Sequence, residues 1–330
     1  MIFYSVKLNL WIFKQTERDI IKLYNSLTPY VRTAVNDSND YMLNFGYWEK
    51  NSNDPVNAQH ELSAIFGKFA KFDTVEMIAD VGSGFSAPAV QCRSEYPHLR
   101  ILCVDINYME LSTARKMVIF PPPPPNSSLS ASSDRISLIN ASSAMLPFGK
   151  DKLDMIVAFE SAQHFQSIAN FLEVSRSILK PDGLIVLAIP VVDLKSLEKG
   201  EKNQNVGVVK KLKLMKKLGI LYFSWASQQY DINTISKSII NRGYQIEEFQ
   251  RIGHHVYEPL AEYYVRNRKN IRRRLIQSFA TYKQRLFFEF VEYMVYRSAL
   301  KMKDLSMNGM LDYVLIRAKK DSLKVDSRNA

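Results

Sequence analysis

The most constraining feature of the sequence is an apolar run that ends directly at a glycine turn. Residues 75–81 are apolar enough for an inner strand of a parallel sheet. Gly82 and Gly84 allow a sharp turn and let a ligand approach the backbone closely. Residues 101–104 form a second strand, and Asp105 at its end is placed to accept both hydroxyls of a ribose. The pattern predicts a nucleotide-type binding site.

The turn fits more than one nucleotide-binding family. Gly82, Gly84 and Ala87 satisfy the dinucleotide fingerprint G-x-G-x-x-G/A. The same stretch resembles the first motif of the class I S-adenosylmethionine (SAM)-dependent methyltransferases, in which an acid two residues before the first glycine is typical. Asp80 occupies that position, and Ser86 stands where the third glycine is usual. The segments that follow decide between the two families.

Composition indicates an ordinary globular protein. The chain has 330 residues, of which 46% are hydrophobic and 23% charged, and we expect one α/β domain with insertions. Cys92 and Cys103 have no metal-ligand spacing to another ligand, so we expect reduced cysteines, no metal and a cytoplasmic location. Membrane association stays open as an alternative.

The formal net charge of +11 is unevenly spread, with basic clusters at 195–217 and 266–285. A solvated helix face is the simplest interpretation, and a polyanion or a membrane surface is the alternative. The apolar run at 1–13 is interrupted by Lys7 and is far shorter than the ~20 residues that span a bilayer. It predicts a short helix that packs on the protein or lies on a membrane.

Repeated strand and helix patterns on either side of the turn predict a parallel sheet. Residues 135–141 and 153–159 read as strands, and 165–179 as a helix. The sequence KPDG at 180–183 predicts the stop of that helix before the strand LIVLAI. The helix predicted at 108–120 ends at five prolines. The predicted organisation has an N-terminal helical and aromatic segment at 1–58, a main domain at 59–320 and a disordered tail at 321–330. Within the main domain we expect a disordered, dispensable insertion at 121–134 and a helical lid at 257–305.

An ordered set of motifs then identifies a family resemblance. DVGSGFSAP, VDIN, MLPF, FESAQHF and RSILKPDGLIV resemble, in order and spacing, the small-molecule class I SAM-dependent methyltransferases, in the branch of the ubiquinone/menaquinone enzymes and the antibiotic and sugar O-methyltransferases. YMLNFGYW resembles the cofactor-covering segment of that branch, and GMLDYVLIRAKK its final antiparallel strand. The resemblance covers 41–320 and implies a Rossmann-like sheet of seven strands with the last one antiparallel, a helical N-terminal segment and a helical insertion before the last strand.

The resemblance also implies a cofactor and a set of site residues. SAM is the implied cofactor, and the positions implied to bind it are Asp80, Gly82, Gly84, Asp105, Ile106, Ser142, Ser143 and Glu160. Tyr41, Tyr47 and Trp48 are implied to contact the substrate. Ser142 replaces the acid that the family commonly carries near the adenine, so adenine contact there would rest on hydroxyl or backbone groups.

His164 is the candidate general base, because it follows a strand end that faces the cofactor cleft and an imidazole pKa near ~6.5 suits proton removal from a hydroxyl. The leading hypothesis is O-methylation of a small lipophilic acceptor, of the natural-product type. Its alternatives are C-methylation of a quinone, terpenoid or sterol-like lipid, and a non-catalytic or nucleic-acid-associated protein. We expect a small-molecule partner, no nucleic acid, a monomer or homodimer, and peripheral membrane contact as an open alternative.

Overall fold

The computed structural model describes residues 16–35, 41–49, 54–119, 135–193, 231–277 and 282–321. Within them, the helices are α1 (Glu17–Val35), α2 (Pro55–Ala70), α3 (Ala87–Glu95), α4 (Tyr108–Ile119), α5 (Ile168–Ile178), α6 (Ile232–Asn241), α7 (Gly253–Gln277) and α8 (Tyr282–Met307). The strands are β1 (Met77–Val81), β2 (Arg100–Asp105), β3 (Ile136–Asn140), β4 (Leu153–Phe159), β5 (Leu179–Val192), β6 (Tyr244–Arg251) and β7 (Leu311–Lys320). Short 3₁₀ helices cover Phe72–Thr74 and Ala162–His164.

The strands form one seven-stranded sheet in the order β3-β2-β1-β4-β5-β7-β6. Strands β1 to β5 pair in parallel, and β7 pairs antiparallel with both β5 and β6. This confirms the Rossmann-like fold with an antiparallel last strand. The strand order changes side at β1, with β2 and β3 on one side of it and β4 and β5 on the other. Because these strands are parallel, the carboxyl ends of β1, β2 and β4 meet at one edge, and ligands bind at such a switch point in folds of this kind.

The core is divided between the two faces of the sheet, as the alternation of side chains along a strand requires. Ile78 and Met155 pack on the face covered by α2, α3, α7 and α8. Their neighbours Ala79 and Ile156 pack on the other face, against α5 and α6. Both faces are apolar, which explains why the inner strands read as continuous apolar runs.

Local signals set the ends of several helices. The Asp54 carboxylate accepts the Val56 N–H, with Pro55 in the first turn of α2. Asn107 accepts the Met109 N–H at the start of α4, as its sequence position predicts. Asp231 accepts the Thr234 N–H to begin α6, and Gly243 follows that helix with a φ of 75°.

The structure differs from the sequence prediction around 180–183. Helix α5 spans Ile168–Ile178, so residues 165–167 of the predicted helix lie outside it, between the 3₁₀ helix at Ala162–His164 and the first turn of α5. Strand β5 begins at Leu179, so the stretch at 180–183 lies within the strand and not in a separate turn. The pairing with β4 shifts between Leu153 and Met155, because the extra residues bulge out of the ladder and are accommodated by a positive φ of 65° at Asp182.

The stretch predicted as a helical lid, 257–305, is occupied by α7 and α8, which lie between β6 and β7 in the chain. Its basic residues Arg266, Lys269 and Arg273 lie on the exposed side of α7. No helix of the described residues is long and apolar enough to cross a membrane. The predictions for 1–13, for the insertion at 121–134, for the basic cluster at 195–217 and for the tail after 321 lie outside the described residues.

Candidate active site

The turn after β1 has a backbone conformation that glycine adopts most easily. Gly82 and Gly84 have φ angles of 80° and 53°, in the left-handed region. A Cβ on Gly82 would stand 2.3 Å from the Cβ of Ser161, so the space there also requires glycine. The nearest neighbour of a Cβ on Gly84 would be the Glu110 carboxylate, at 3.4 Å. The turn therefore forms a cradle whose backbone is open to a ligand on the Gly84 side.

Asp105 ties this turn to the end of β2. Its Oδ2 accepts the Gly84 N–H at 2.8 Å, and its Oδ1 accepts the Asn107 N–H at 2.7 Å. Burial raises the pKa of Asp105, although the backbone N–H groups of Asn107, Gly84 and Ile106 oppose the rise. Each carboxylate oxygen has a second lone pair, so Asp105 can hold the turn and also accept hydroxyl groups.

A cavity of about 240 Å³ opens at this edge of the sheet. Its walls come from the glycine turn, the end of β2, the loops after β3 and β4, the segment 41–45, and α1. Most of the predicted site residues line it: Tyr41, Gly82, Gly84, Asp105, Ile106, Ser143, Glu160 and His164. The structure thus brings together residues from segments that are far apart in the sequence.

Asp80 lies behind the glycine turn and not on the cavity wall. Its carboxyl borders a small pocket beside Phe66 and Cys92. Burial, and then the charge of Asp105, raises the pKa of Asp80 to about 7. Its Oδ1 is buried and has no hydrogen-bond partner among the described residues. Direct contact between Asp80 and the cofactor stays a prediction.

Tyr47 and Trp48 also lie outside the cavity lining. Tyr47 stacks on His255 with the ring centroids 4.5 Å apart, and the Trp48 ring lies 5.3 Å from that of Tyr263. The indole N–H of Trp48 donates to the Phe45 carbonyl at 3.0 Å. These contacts join the 41–49 segment to α7, and substrate contact by the two residues stays a prediction.

Glu160 is a buried acid that lines the cavity just after β4. Its backbone has a φ of 53°, in the left-handed region that is strained for a residue with a Cβ. Its Oε1 accepts the Phe45 N–H at 3.0 Å and the Tyr313 hydroxyl at 2.9 Å. Burial raises the pKa of Glu160 to about 8, against the effect of these donors. The carboxyl therefore links the cavity floor to the 41–49 segment and to β7.

His164 lies at the end of the 3₁₀ helix after β4. Its Nε2 is 2.6 Å from the Tyr24 hydroxyl of α1, and the Gln163 side-chain amide nitrogen is 3.2 Å away. Burial, followed by the charges of Glu110, Glu160 and Asp105, raises the pKa of Tyr24, so this phenol stays protonated. We infer that Tyr24 donates to Nε2, which places the imidazole proton on Nδ1.

Sequence reasoning missed the residues that α1 contributes. Glu17 and Tyr24 line the cavity, Glu17 accepts a short hydrogen bond from the Ser142 hydroxyl, and Asn25 accepts one from the Asn107 amide at 2.8 Å. The spacing of Glu17, Ile20, Ile21 and Tyr24 was a detectable signal, because residues three, four and seven apart share one helix face. The sequence does not show what that face covers.

Glu110 is a second acid that sequence reasoning missed. Its side chain lies at the open side of the turn and lines the cavity. Burial, and then the charge of Asp105, raises the pKa of Glu110 to about 8. Its Oε1 is buried without a hydrogen-bond partner among the described residues, so it is an acceptor available to a ligand with N–H or O–H groups. The cradle at Gly84, the orphan acceptor on Glu110 and the Asp105 carboxylate fit a nucleoside carrying ribose hydroxyls.

Comparison with known proteins agrees with this geometry. Residues 79–187 match the family described as a methyltransferase domain. A search of curated proteins finds no match. Among solved structures, the cyclopropane synthase MmaA2 from Mycobacterium tuberculosis is 14% identical, with 93% of this chain and 99% of that chain covered and a TM-score of 0.69.

Two further structures share the fold. The geranyl diphosphate C-methyltransferase from Streptomyces coelicolor A3(2), solved with Mg²⁺, geranyl diphosphate and S-adenosyl-L-homocysteine, is 13% identical, covers 93% of this chain and 99% of its own, and has a TM-score of 0.62. The [4+2]-cyclase SpnF is 15% identical, with coverages of 93% and 97% and a TM-score of 0.65.

The matched methyltransferase domain, the sheet order and the glycine-turn cavity agree with the fold of the class I SAM-dependent methyltransferases. The chain is therefore an enzyme, and SAM is its cofactor. SAM supplies an electrophilic methyl group when bound, and Gly82, Gly84, Asp105 and Glu110 are the residues that would hold it in this cavity. Within the described residues, no cluster of His, Cys, Asp or Glu could hold a metal ion.

Proposed function

We propose that the enzyme methylates a hydroxyl group on a small, uncharged, lipophilic acceptor, with His164 as the general base. The observation that carries this proposal is the 2.6 Å contact between His164 Nε2 and the Tyr24 hydroxyl inside the cofactor cavity. An imidazole that is a hydrogen-bond acceptor in this cavity can take up the proton that a hydroxyl loses as it is methylated.

The contact between Tyr24 and His164 supports a path for that proton. Tyr24 stays protonated and donates to Nε2, so its oxygen lone pairs can accept the acceptor's proton while its own proton moves to His164. An acceptor hydroxyl that displaces Tyr24 would lose its proton to Nε2 directly. In either case the proton would end on His164, and the oxygen that loses it would take the methyl group from the cofactor's sulfur, which would keep the electron pair of the broken carbon–sulfur bond. Alignment of that oxygen and exclusion of water supply the rest of the rate enhancement.

The charge of the cavity supports an acceptor without negative charge. Carboxyl groups of Glu17, Asp105, Glu110 and Glu160 line it. A phosphate or carboxylate group on an acceptor would be repelled by the ionised carboxylates among them and would raise further the pKa values of Glu110 and Glu160, which are already about 8. The cavity therefore favours neutral or cationic groups on an acceptor. Aromatic and aliphatic side chains fill the space between them, including Phe45, Phe159 and Phe165, which favours a lipophilic acceptor.

C-methylation of an alkene-containing lipid is the second candidate, and Glu160 favours it. Methyl transfer to such a carbon leaves a carbocation, which nearby aromatic faces would stabilise, as would the Glu160 side chain once it has lost its proton above its pKa of about 8. Phe45, Phe159 and Tyr24 line the same cavity as Glu160. A cyclopropane synthase and a geranyl diphosphate C-methyltransferase are among the proteins that share the fold. The non-catalytic alternative does not fit the matched methyltransferase domain.

Paired acceptors test the proposal. Terpenoid and aromatic alcohols are incubated with methyl-labelled SAM, beside the same compounds with the hydroxyl replaced by a methyl ether. We expect label transfer to the free alcohols alone. Label transfer to the methyl ethers that equals transfer to the alcohols would contradict the proposal. If that transfer also persisted in His164→Ala and was lost in Glu160→Gln, methylation of carbon would be the reaction.

A further inference from the structure

We propose that Glu17, at the start of α1, is the carboxylate that binds the 6-amino group of the cofactor's adenine. The inference rests on the use of SAM and does not depend on which acceptor is methylated. It assigns a cofactor-binding role to a residue that lies some 60 residues before the glycine turn in the chain. It also explains how the site recognises adenine although Ser142 stands where an acid was expected.

The position of the ribose directs the adenine toward the end of β3. In parallel-sheet nucleotide sites an acid at the end of the second strand binds the ribose hydroxyls, and Asp105 has that position. β3 is the neighbour of β2 on the outer side, with Asp105 paired to Asn140, and the Ala141 N–H donates to the Asp105 carbonyl at 3.1 Å. Ile106, Ala141 and Ser143 line this end of the cavity. The transferred methyl group belongs at the other end, where Glu160 and His164 lie.

The hydrogen bonds at the end of β3 leave Glu17 as the acidic side chain that faces the cavity there. The Ser142 hydroxyl donates to Glu17 Oε1 and accepts the Ala144 N–H at 3.1 Å, while Ser142 itself does not line the cavity. The Asn140 amide donates to the carbonyls of Asp105 and Ile106, so it is turned toward the backbone. Glu17 is the acid that lines the cavity at this end. Adenine carries an amino donor on its edge, and a carboxylate is the matching acceptor.

Helix α1 holds Glu17 in this place. Thr16 and Asp19 cap the helix reciprocally: the Asp19 N–H donates to the Thr16 hydroxyl oxygen at 3.3 Å, and the Thr16 N–H donates to Asp19 Oδ2 at 3.1 Å. Tyr24, two turns further along, contacts His164. A separation of seven residues corresponds to roughly 10 Å along a helix, so α1 lies along the cavity with Glu17 at one end and Tyr24 at the other.

A two-ligand binding experiment tests the assignment without any acceptor. Calorimetry measures the dissociation constants of S-adenosylhomocysteine and of its inosine analogue, which has a 6-oxo group in place of the 6-amino group. We expect the wild type to prefer the adenosine ligand by about 10- to 100-fold, the range set by a charge-assisted hydrogen bond. Glu17→Gln should remove or reverse that preference, because an amide can donate to the 6-oxo group.

The ratio of the two affinities separates recognition from structural damage. Loosening α1 would weaken both ligands equally, and Glu173→Gln, an exposed position on α5, is the matched control that should change neither. An unchanged preference in Glu17→Gln, or an equal loss for both ligands, would overturn the assignment. A failure of hydroxyl methylation would leave this result untouched.

Discussion

The two glycines of the turn should differ sharply in their tolerance of alanine, although both have positive φ. A left-handed backbone costs a non-glycine residue about 1–2 kcal/mol, and this term applies to both Gly82 and Gly84. At Gly82 the new Cβ would also lie 2.3 Å from the Ser161 side chain, whose hydroxyl donates to the Val81 carbonyl at 2.5 Å. Forcing that contact apart adds about 1–3 kcal/mol, the usual cost of overpacking.

We therefore expect Gly84→Ala to lower the free energy of unfolding by about 1–2 kcal/mol and Gly82→Ala by about 2–5 kcal/mol. Urea unfolding of the cofactor-free protein, followed by circular dichroism, measures both. Gly149→Ala is the control: its Cβ would have its nearest contact at 3.6 Å, so the change should stay within about 0.5 kcal/mol. Equal losses at Gly82 and Gly84 would refute the argument that Ser161 closes one side of the turn.

Two further predictions concern buried acids. Asp105→Ala should weaken S-adenosylhomocysteine binding about 10-fold or more, which calorimetry measures. It should also lower the melting temperature, because the Gly84 and Asn107 N–H groups lose their acceptor. An unchanged affinity would exclude the ribose role. The folded-state pKa of Glu160, about 8, lies above its ordinary value of 4.5, so its contribution to stability is present below pH ~4.5 and is lost as the pH rises through 8. Glu160→Gln should therefore reduce the fall in the free energy of unfolding between about pH 5 and 8, which unfolding curves at several pH values measure. A slope of that free energy against pH equal to the wild type's would contradict this.

The parts of the site that lie at or just after the end of a strand could be predicted from sequence. Gly82, Gly84 and Asp105 follow apolar runs, and the parallel sheet brings the ends of those runs to one edge. His164 and Glu160 could be placed for the same reason, because they follow β4. The stretch at 180–183 was misread, since proline and glycine also occur in a strand bulge.

Contacts between distant segments could not be predicted. The periodicity of α1 shows that Glu17 and Tyr24 share a face, but only the tertiary structure shows that this face covers the cavity. Aromatic composition likewise could not separate Tyr41, which lines the cavity, from Trp48, which packs against Tyr263 of α7. Both kinds of contact bury an aromatic ring, so the sequence does not show whether a given ring packs against a ligand or against a helix.

The central claim is that the enzyme methylates a hydroxyl whose proton passes to His164. Carbon NMR of the product formed from ¹³C-methyl SAM and a lipophilic alcohol tests it most directly, with His164→Ala run in parallel. The account predicts a methyl carbon bonded to oxygen, and a turnover in the variant lower by about 100-fold or more with S-adenosylhomocysteine affinity unchanged. A methyl carbon bonded to carbon, or full turnover without His164, would contradict it.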